Sequence, residues 1–115
     1  MSRDNLPKVV QDCHDLLTWL IPLLDHFPRN RRFTLGERLE NSLLEILELL
    51  VEAAYSKTKQ QALQRANLRL AVVRHLWRIA HELETITGKR YAHGAKLMDD
   101  LGKQIGGWAK RQQAV

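Results

Sequence analysis

Apolar residues recur every three or four positions along almost the whole chain, which is the spacing of amphipathic α-helices. The chain has three prolines, and it shows neither the alternation typical of strands nor runs of β-branched residues. We therefore expect an all-α protein. The apolar pattern predicts four helices, over residues of about 7–24, 35–56, 59–87 and 89–111.

Short connections between these helices predict an up-down-up-down four-helix bundle, with a single domain over residues 1–115. At 115 residues the chain can bury a core without disulfides or a structural metal. The one cysteine, Cys13, lies among apolar residues of the first helix, so we expect it to be a core residue. Asn5 is the expected N-cap of that helix.

The second predicted helix, within the run RFTLGERLENSLLEILELLVEAAYSK, has a very wide apolar face. Thr34 and Glu37 have the T-x-x-E spacing of a capping box, which predicts a helix start at Leu35. Its apolar residues cover well over a third of the circumference, and Leu44 widens that arc. We expect this helix to pack on its own bundle and also on a second protomer.

The third predicted helix runs antiparallel to the second and ends at a glycine stop, Gly88. Its predicted core consists of Val72, Val73, Leu76, Ile79, Ala80 and Leu83. The residues that broaden its apolar arc are Leu68, Leu70, Trp77 and Ile86. Arg65 and Arg69 project near the apolar side, so we expect carboxylate partners or a protein interface there.

The last predicted helix separates an apolar side from a basic side. The apolar side carries Tyr91, Ala95, Met98, Leu101, Ile105, Trp108 and Ala109. The basic side carries a row with a seven-residue repeat, Lys89, Lys96, Lys103 and Lys110. Gly102 and Gly106, near the apolar side, predict the close approach of another backbone. Residues expected at an interface between protomers are Leu44, Arg65, Arg69, Trp77 and Trp108.

The net charge of +5 conceals a segregation of charge along the chain. Residues 1–56 carry six Lys/Arg against nine Asp/Glu, a balance of −3, whereas residues 57–115 carry twelve against four, a balance of +8. A basic second half can attract a polyanion, or it can pair with the acidic half of a neighbouring protomer. Within the bundle we expect Glu40 at the height of Arg74 and Arg78, which predicts an ion pair.

Arg29, Arg31 and Arg32 form a basic cluster in the first linker, just before the predicted start of the second helix. Two interpretations are open. The cluster is either a solvated turn or a phosphate contact assisted by the positive end of the helix that follows.

The sequence contains no recognisable catalytic or metal-binding motif. The five histidines form no i, i+4 pair, no glycine-rich phosphate loop precedes a helix, and the Glu-x-x-His pairs of di-iron bundles are missing. We therefore expect a protein that is not an enzyme and needs no cofactor or metal ion. No apolar stretch approaches the ~20 residues that span a bilayer, and the N-terminus lacks a signal-peptide core, which predicts a cytoplasmic protein.

Three segments of the chain resemble the accessory variability determinant (Avd) family of diversity-generating retroelements: RFTLGERLENSLLEILELLVEAAYSK, ANLRLAVVRHLWRIAHEL and LMDDLGKQIGGWAK. The likeness covers residues 6–110. It implies a non-enzymatic homopentameric barrel that associates with the retroelement's reverse transcriptase and template-repeat RNA in support of mutagenic retrohoming. Arg74 and Arg78 match arginines of the family's third-helix pattern, which makes them the first candidates for basic contacts.

The leading hypothesis is a cytoplasmic oligomeric adaptor that binds RNA or DNA and a reverse transcriptase. Its candidate contacts are Arg29, Arg31, Arg32, Arg74, Arg78, Lys89, Lys96, Lys103, Lys110 and Arg111. One alternative is the related family of 23S rRNA intervening-sequence proteins, which has no retroelement partner. The other is a structural oligomerisation module that does not bind nucleic acid, in which basic and acidic halves of neighbours pair.

Overall fold

The computed structural model describes residues 6–113, and this part of the chain forms a bundle of four long helices. Within it, 86% of the residues are helical and there is no strand, which confirms the all-α prediction. The elements in chain order are α1 (Lys8–Leu24), α2 (Arg29–Arg31), a π-helical turn (Arg32–Gly36), α3 (Glu37–Tyr55), α4 (Gln60–Glu82) and α5 (Gly88–Gln113). The predicted cap at Asn5 lies outside the described residues.

Each long helix packs against two others in the bundle. α1 contacts α3 and α5, and α4 contacts the same two helices from the other side. Asp12 of α1 accepts a hydrogen bond from Gln104 of α5, and Trp19, two turns further along α1, contacts His93, three turns earlier in α5. α1 and α5 are therefore antiparallel, as the up-and-down prediction requires.

The core extends along the whole bundle and includes side chains from every long helix. Residues with no exposed surface include Cys13, Leu20, Leu39, Leu43, Ile46, Leu50, Leu63, Val73, Met98 and Ile105. Cys13 is thus confirmed as a core residue. Burial raises the pKa of its thiol to about 12, so the thiolate that would act as a nucleophile is not populated near neutral pH.

The second long helix is already preceded by helical turns, so its predicted start at Leu35 and its capping box are wrong. Pro28 has an extended backbone and its carbonyl accepts the N–H groups of Arg31 and Arg32, which begins the helical path. Thr34 then lies inside the π turn, where its hydroxyl donates to the carbonyls of Asn30 and Arg31 at 3.2 and 3.3 Å. A T-x-x-E pattern cannot cap a helix whose preceding turns are already formed.

α4 ends six residues before the predicted glycine stop. Its C-terminus is closed by a Schellman motif, in which the N–H of Thr85 donates to the carbonyl of Ala80 and the N–H of Glu84 to that of His81. Glu84 takes the left-handed conformation, with φ of 61°, that this motif requires. Gly88 instead begins α5, where the Thr87 hydroxyl accepts the N–H of Arg90 at 3.2 Å.

We expect Glu84→Gly to stabilise the protein, because a side chain in the left-handed region costs about 1 kcal/mol that glycine does not incur. The midpoint of thermal unfolding should rise by roughly 4 °C at constant protein concentration. Glu84→Ala is the matched control, since it removes the same carboxylate but keeps the strained backbone. Equal stability of the glycine and alanine variants would contradict the assignment.

The buried face of α4 differs from the predicted one. Its buried residues are Ala62, Leu63, Ala66, Leu70, Val73, Trp77 and Ala80. Val73 and Ala80 were predicted correctly, but Val72, Ile79 and Leu83 are exposed and Leu76 is only partly buried. The apolar arc of α4 is wider than the strip that α3 and α5 cover, so the neighbours decided which part became core.

Trp77 and Trp108 belong to the core, which contradicts their assignment to an interface between protomers. Trp77 is only 1% exposed, and its indole N–H donates to the carbonyl of Tyr91 at 3.0 Å. Gly94 makes this packing possible, because a Cβ there would lie 2.7 Å from the Trp77 ring. Close approach was predicted instead at Gly102 and Gly106, and neither has a backbone of this bundle beside it.

Candidate nucleic-acid interface

Arg74 and Arg78, the residues that the resemblance points to, lie on the exposed side of α4 and both form ion pairs. Arg74 pairs with Asp99 of α5, and Arg78 pairs with Glu82 one turn later at 3.1 Å. The predicted pairing of either arginine with Glu40 is therefore wrong. Because each guanidinium has an adjacent carboxylate, this part of the surface carries little net positive charge.

A groove of about 360 Å³ lies between α4 and α5 beside these arginines. It is lined by Ala71, Arg74, His75, Trp77, Arg78, Tyr91, Ala95, Met98 and Asp99. The Tyr91 ring stacks on His81, with ring centroids 4.4 Å apart. The mixture of charges and aromatic rings makes this groove suited to a protein side chain as much as to a phosphate.

Arg69 has a carboxylate partner, which is one of the two alternatives that its position predicted, since its Nε lies 3.2 Å from Glu45 of α3. Arg65 is exposed and lines a groove with Leu44 and the carboxylates of Glu48 and Glu52. The surface shared by α3 and α4 thus combines acidic side chains with exposed apolar ones.

The lysine row on α5 is exposed along its whole length, as its spacing predicted. Its members are Lys89, Lys96, Lys103 and Lys110, and Arg111 lies beside the last of them. None of them takes part in an ion pair between residues 6–113. This helix therefore carries positive charge that is available to a ligand.

Two further basic residues, Lys8 and Lys59, lie beside the row at one end of the bundle. They line one groove together with Lys103 and Arg111. Lys59 already forms hydrogen bonds within the protein, because its ammonium donates to the carbonyls of Ala53 and Ser56 at 2.7 Å each, at the C-terminus of α3. Lys8 lies 2.6 Å from Asp12. The hydrogen bond from Lys8 lowers the pKa of the Asp12 carboxyl, against the opposing effect of burial. Sequence spacing could not reveal this convergence, since the four residues come from three separate parts of the chain.

The arginine cluster of the first linker is helical and not a loop. Arg29 and Arg31 belong to α2, and Arg32 begins the π turn. The Arg32 guanidinium carbon lies 4.7 Å from the centre of the Phe33 ring, which is the geometry of a cation–π contact. The exposed Phe33 was not recognised from the sequence, because apolar periodicity places no special weight on a residue before a helix.

No group of three or more His, Cys, Asp and Glu side chains is arranged to hold a metal ion within the described range. Over the same residues, no helix is both long and apolar enough to cross a membrane.

These features define a small four-helix-bundle protein, whose last helix carries exposed basic side chains that form no ion pair with another residue of the described range. A family model described as bAvd-like matches residues 8–112, and the chain therefore belongs to the bAvd-like family. It is an accessory protein of the Avd type, which confirms the resemblance seen in the sequence. A search of curated proteins found no match.

Proposed function

We propose that this protein is a non-enzymatic, cytoplasmic accessory factor of a diversity-generating retroelement, which binds RNA or DNA together with the reverse transcriptase to support mutagenic retrohoming. The observation that carries the proposal is the unpaired lysine row of α5 on a member of the bAvd-like family. Lysines spaced along one helix can follow a phosphate backbone without reading its sequence.

The proposed partners divide the surface into two kinds of contact. The row on α5 attracts phosphates, whereas Arg74 and Arg78, each already paired with a carboxylate, are better suited to specific contacts with the polymerase. Such a division predicts that removing RNA weakens the complex with the polymerase but does not abolish it.

The accessory protein is also proposed to assemble as a homo-oligomer, and the resemblance implies a pentamer. An apolar stripe remains exposed on α4 after the bundle has formed, which supports this proposal. We call Leu68, Val72, Leu76, Ile79 and Leu83 the α4 stripe. A ring of copies would bury these side chains and multiply weak phosphate contacts through avidity.

The direct test of the proposed function is capture of the reverse transcriptase encoded beside this protein. The tagged accessory protein should retain the polymerase with and without RNase treatment. Retention that disappears with RNase would show that RNA alone bridges the two proteins. Failure to retain the polymerase and failure to bind template-repeat RNA at low salt would together refute the proposal.

Charge reversal on α5 should weaken RNA binding. We expect Lys96→Glu, Lys103→Glu and Lys110→Glu together to lower affinity by at least about 100-fold at low salt, and to reduce the log–log salt slope by about 2–3, because each phosphate contact contributes roughly 0.7–0.9. Filter binding over a salt series measures both quantities.

The matched control for this charge reversal replaces Arg38, Lys57 and Arg90 by glutamate, which changes the net charge equally at exposed positions outside the row. Circular dichroism verifies that both triple variants are folded. Equal weakening by the two triple variants would show that only the net charge matters, and would remove the row from the site.

The alternative of a purely structural module is favoured by one observation, the α4 stripe, which needs a protein partner and no nucleic acid. If the basic half of one copy held the acidic half of the next, the oligomer would dissociate at high salt. Light scattering at two ionic strengths, beside the RNA-binding series, distinguishes this module from the adaptor.

A further inference from the structure

We propose that residues 29–36, the arginine–phenylalanine turn, bind single-stranded nucleic acid by stacking an unpaired base on Phe33. This inference rests on the proposed function and adds how the ligand is recognised, namely as an unpaired strand. It starts from the exposure of Phe33, which is 61% accessible although phenylalanine has no polar group to place in water.

Phe33 lies inside the π turn, on the side of the helical path that faces away from the core. The N–H of Glu37 donates to the carbonyl of Arg32, five residues earlier, so one residue more than in an α-helix is accommodated. In an uninterrupted helix continuing α3, Phe33 would lie about 140° from the middle of the buried strip, and with one added residue it lies about 120° from it on the other side. The ring therefore faces away from the core because of its position around the helix, with or without the π turn.

The ring lies beside three arginines. Arg32 covers part of the ring at 4.7 Å, and Arg29 and Arg31 lie within the preceding turn. None of the three arginines forms an ion pair within the described part of the chain. A flat guanidinium on an aromatic ring, with further arginines nearby, is an arrangement on which bases stack while phosphates are held.

The groove beside the ring offers hydrogen-bond acceptors to a base. Its volume is about 500 Å³, and its lining residues are Leu24, Asp25, Arg32, Phe33, Gly36, Glu37, Glu40 and Asn41. Carboxylate and amide oxygens there accept hydrogen bonds from the amino groups of a base, while the phosphates of the same strand are repelled by these carboxylates and attracted by the arginines. A duplex, whose bases are already stacked and paired, cannot place a base on Phe33.

The experiment compares Phe33→Ala with Tyr55→Ala in the full chain. Tyr55 is a matched control, because it is also 61% exposed but lies at the opposite end of the α3 helix. Fluorescence anisotropy measures binding of a short single-stranded oligonucleotide and of a duplex of equal length. Phe33→Ala should weaken binding of the single strand by roughly 5- to 150-fold and leave duplex binding unchanged, because each stacked base contributes about 1–3 kcal/mol.

A spectroscopic measurement separates stacking from attraction by charge. An oligonucleotide that carries 2-aminopurine should lose fluorescence on binding the natural protein and Phe33→Trp, but much less on binding Phe33→Leu, which keeps an apolar side chain without a ring.

Equal effects of Phe33→Ala and Tyr55→Ala, or equal loss of single-strand and duplex binding, would overturn the inference while the proposed function stood. Loss of polymerase capture with unchanged strand binding would assign the turn to a protein contact and also overturn it. If the natural protein bound neither oligonucleotide at low salt, the inference and the nucleic-acid part of the proposed function would both fall.

Discussion

Replacing Gly94 by alanine is expected to lower the free energy of unfolding by about 1–2 kcal/mol, although alanine normally stabilises a helix relative to glycine by about 1 kcal/mol. The added methyl group would lie 2.7 Å from three atoms of the Trp77 indole, well inside van der Waals contact. Either the ring or the backbone of α5 must then move.

The Trp77 ring has little freedom to move. Trp19 packs against it edge-on with centroids 6.1 Å apart, Tyr91 stacks at 6.4 Å, and the carbonyl of Tyr91 holds the indole N–H at 3.0 Å. Displacing the ring would break that hydrogen bond in a buried place, which adds to the cost of overpacking. We therefore expect the clash to outweigh the gain in helix propensity.

Gly106→Ala on the same helix is the matched control. A Cβ at Gly106 meets no heavy atom of the described residues within 4 Å, so alanine there should raise stability by about 0.5–1 kcal/mol. Chemical denaturation of both variants at equal protein concentration measures the two effects, which should have opposite signs. Stabilisation by Gly94→Ala would show that α5 does not lie against Trp77 as described.

The second large effect is expected from the α4 stripe. Leu68 and Ile79 are 70% and 42% exposed, so replacing both by aspartate should leave the bundle folded. If copies of the protein bury these side chains, aspartate at both positions loses that apolar burial and also places charges in the contact, so the double variant should raise the dissociation constant by at least about 100-fold. Sedimentation velocity should then show monomers at concentrations where the natural protein is oligomeric.

Tyr55→Asp is the control for this experiment, because Tyr55 is 61% exposed, between Leu68 and Ile79, but lies outside the stripe. It should leave the oligomer intact. If the double variant keeps the sedimentation coefficient of the natural protein, the stripe is not the contact between copies. If the natural protein is already a monomer, the homo-oligomer proposal fails, and the stripe would contact a different protein partner.

Oligomer assembly also determines how the RNA experiments should be interpreted. A monomeric stripe variant still carries the lysine row of α5, so its intrinsic phosphate contacts should persist. Its apparent affinity for a long RNA should nevertheless fall, because linked copies bind with a high effective concentration that separate copies lack. Comparing short and long RNA therefore separates loss of assembly from loss of the binding surface.

Much of the candidate site could be predicted from the sequence where a residue's own helix determines its position. The row of lysines on α5 needed only a seven-residue repeat, and Arg69 needed only its place near an apolar side to predict a carboxylate partner. The predictions that were wrong required knowledge of a neighbour. Arg74 pairs with Asp99 of α5 and not with Glu40, because the height at which two helices meet depends on the loops and on packing.

The sequence by itself determined the number and amphipathic character of the helices, the burial of Cys13 and the exposure of the lysine row, since periodicity defines directions around a single helix. Only the tertiary structure decided which part of the broad apolar arc of α4 became core, that Gly94 accommodates Trp77, and that the second long helix begins in a π turn. Those outcomes depend on side chains far apart in the chain competing for the same space, and the spacing of residues within one helix carries no information about that competition.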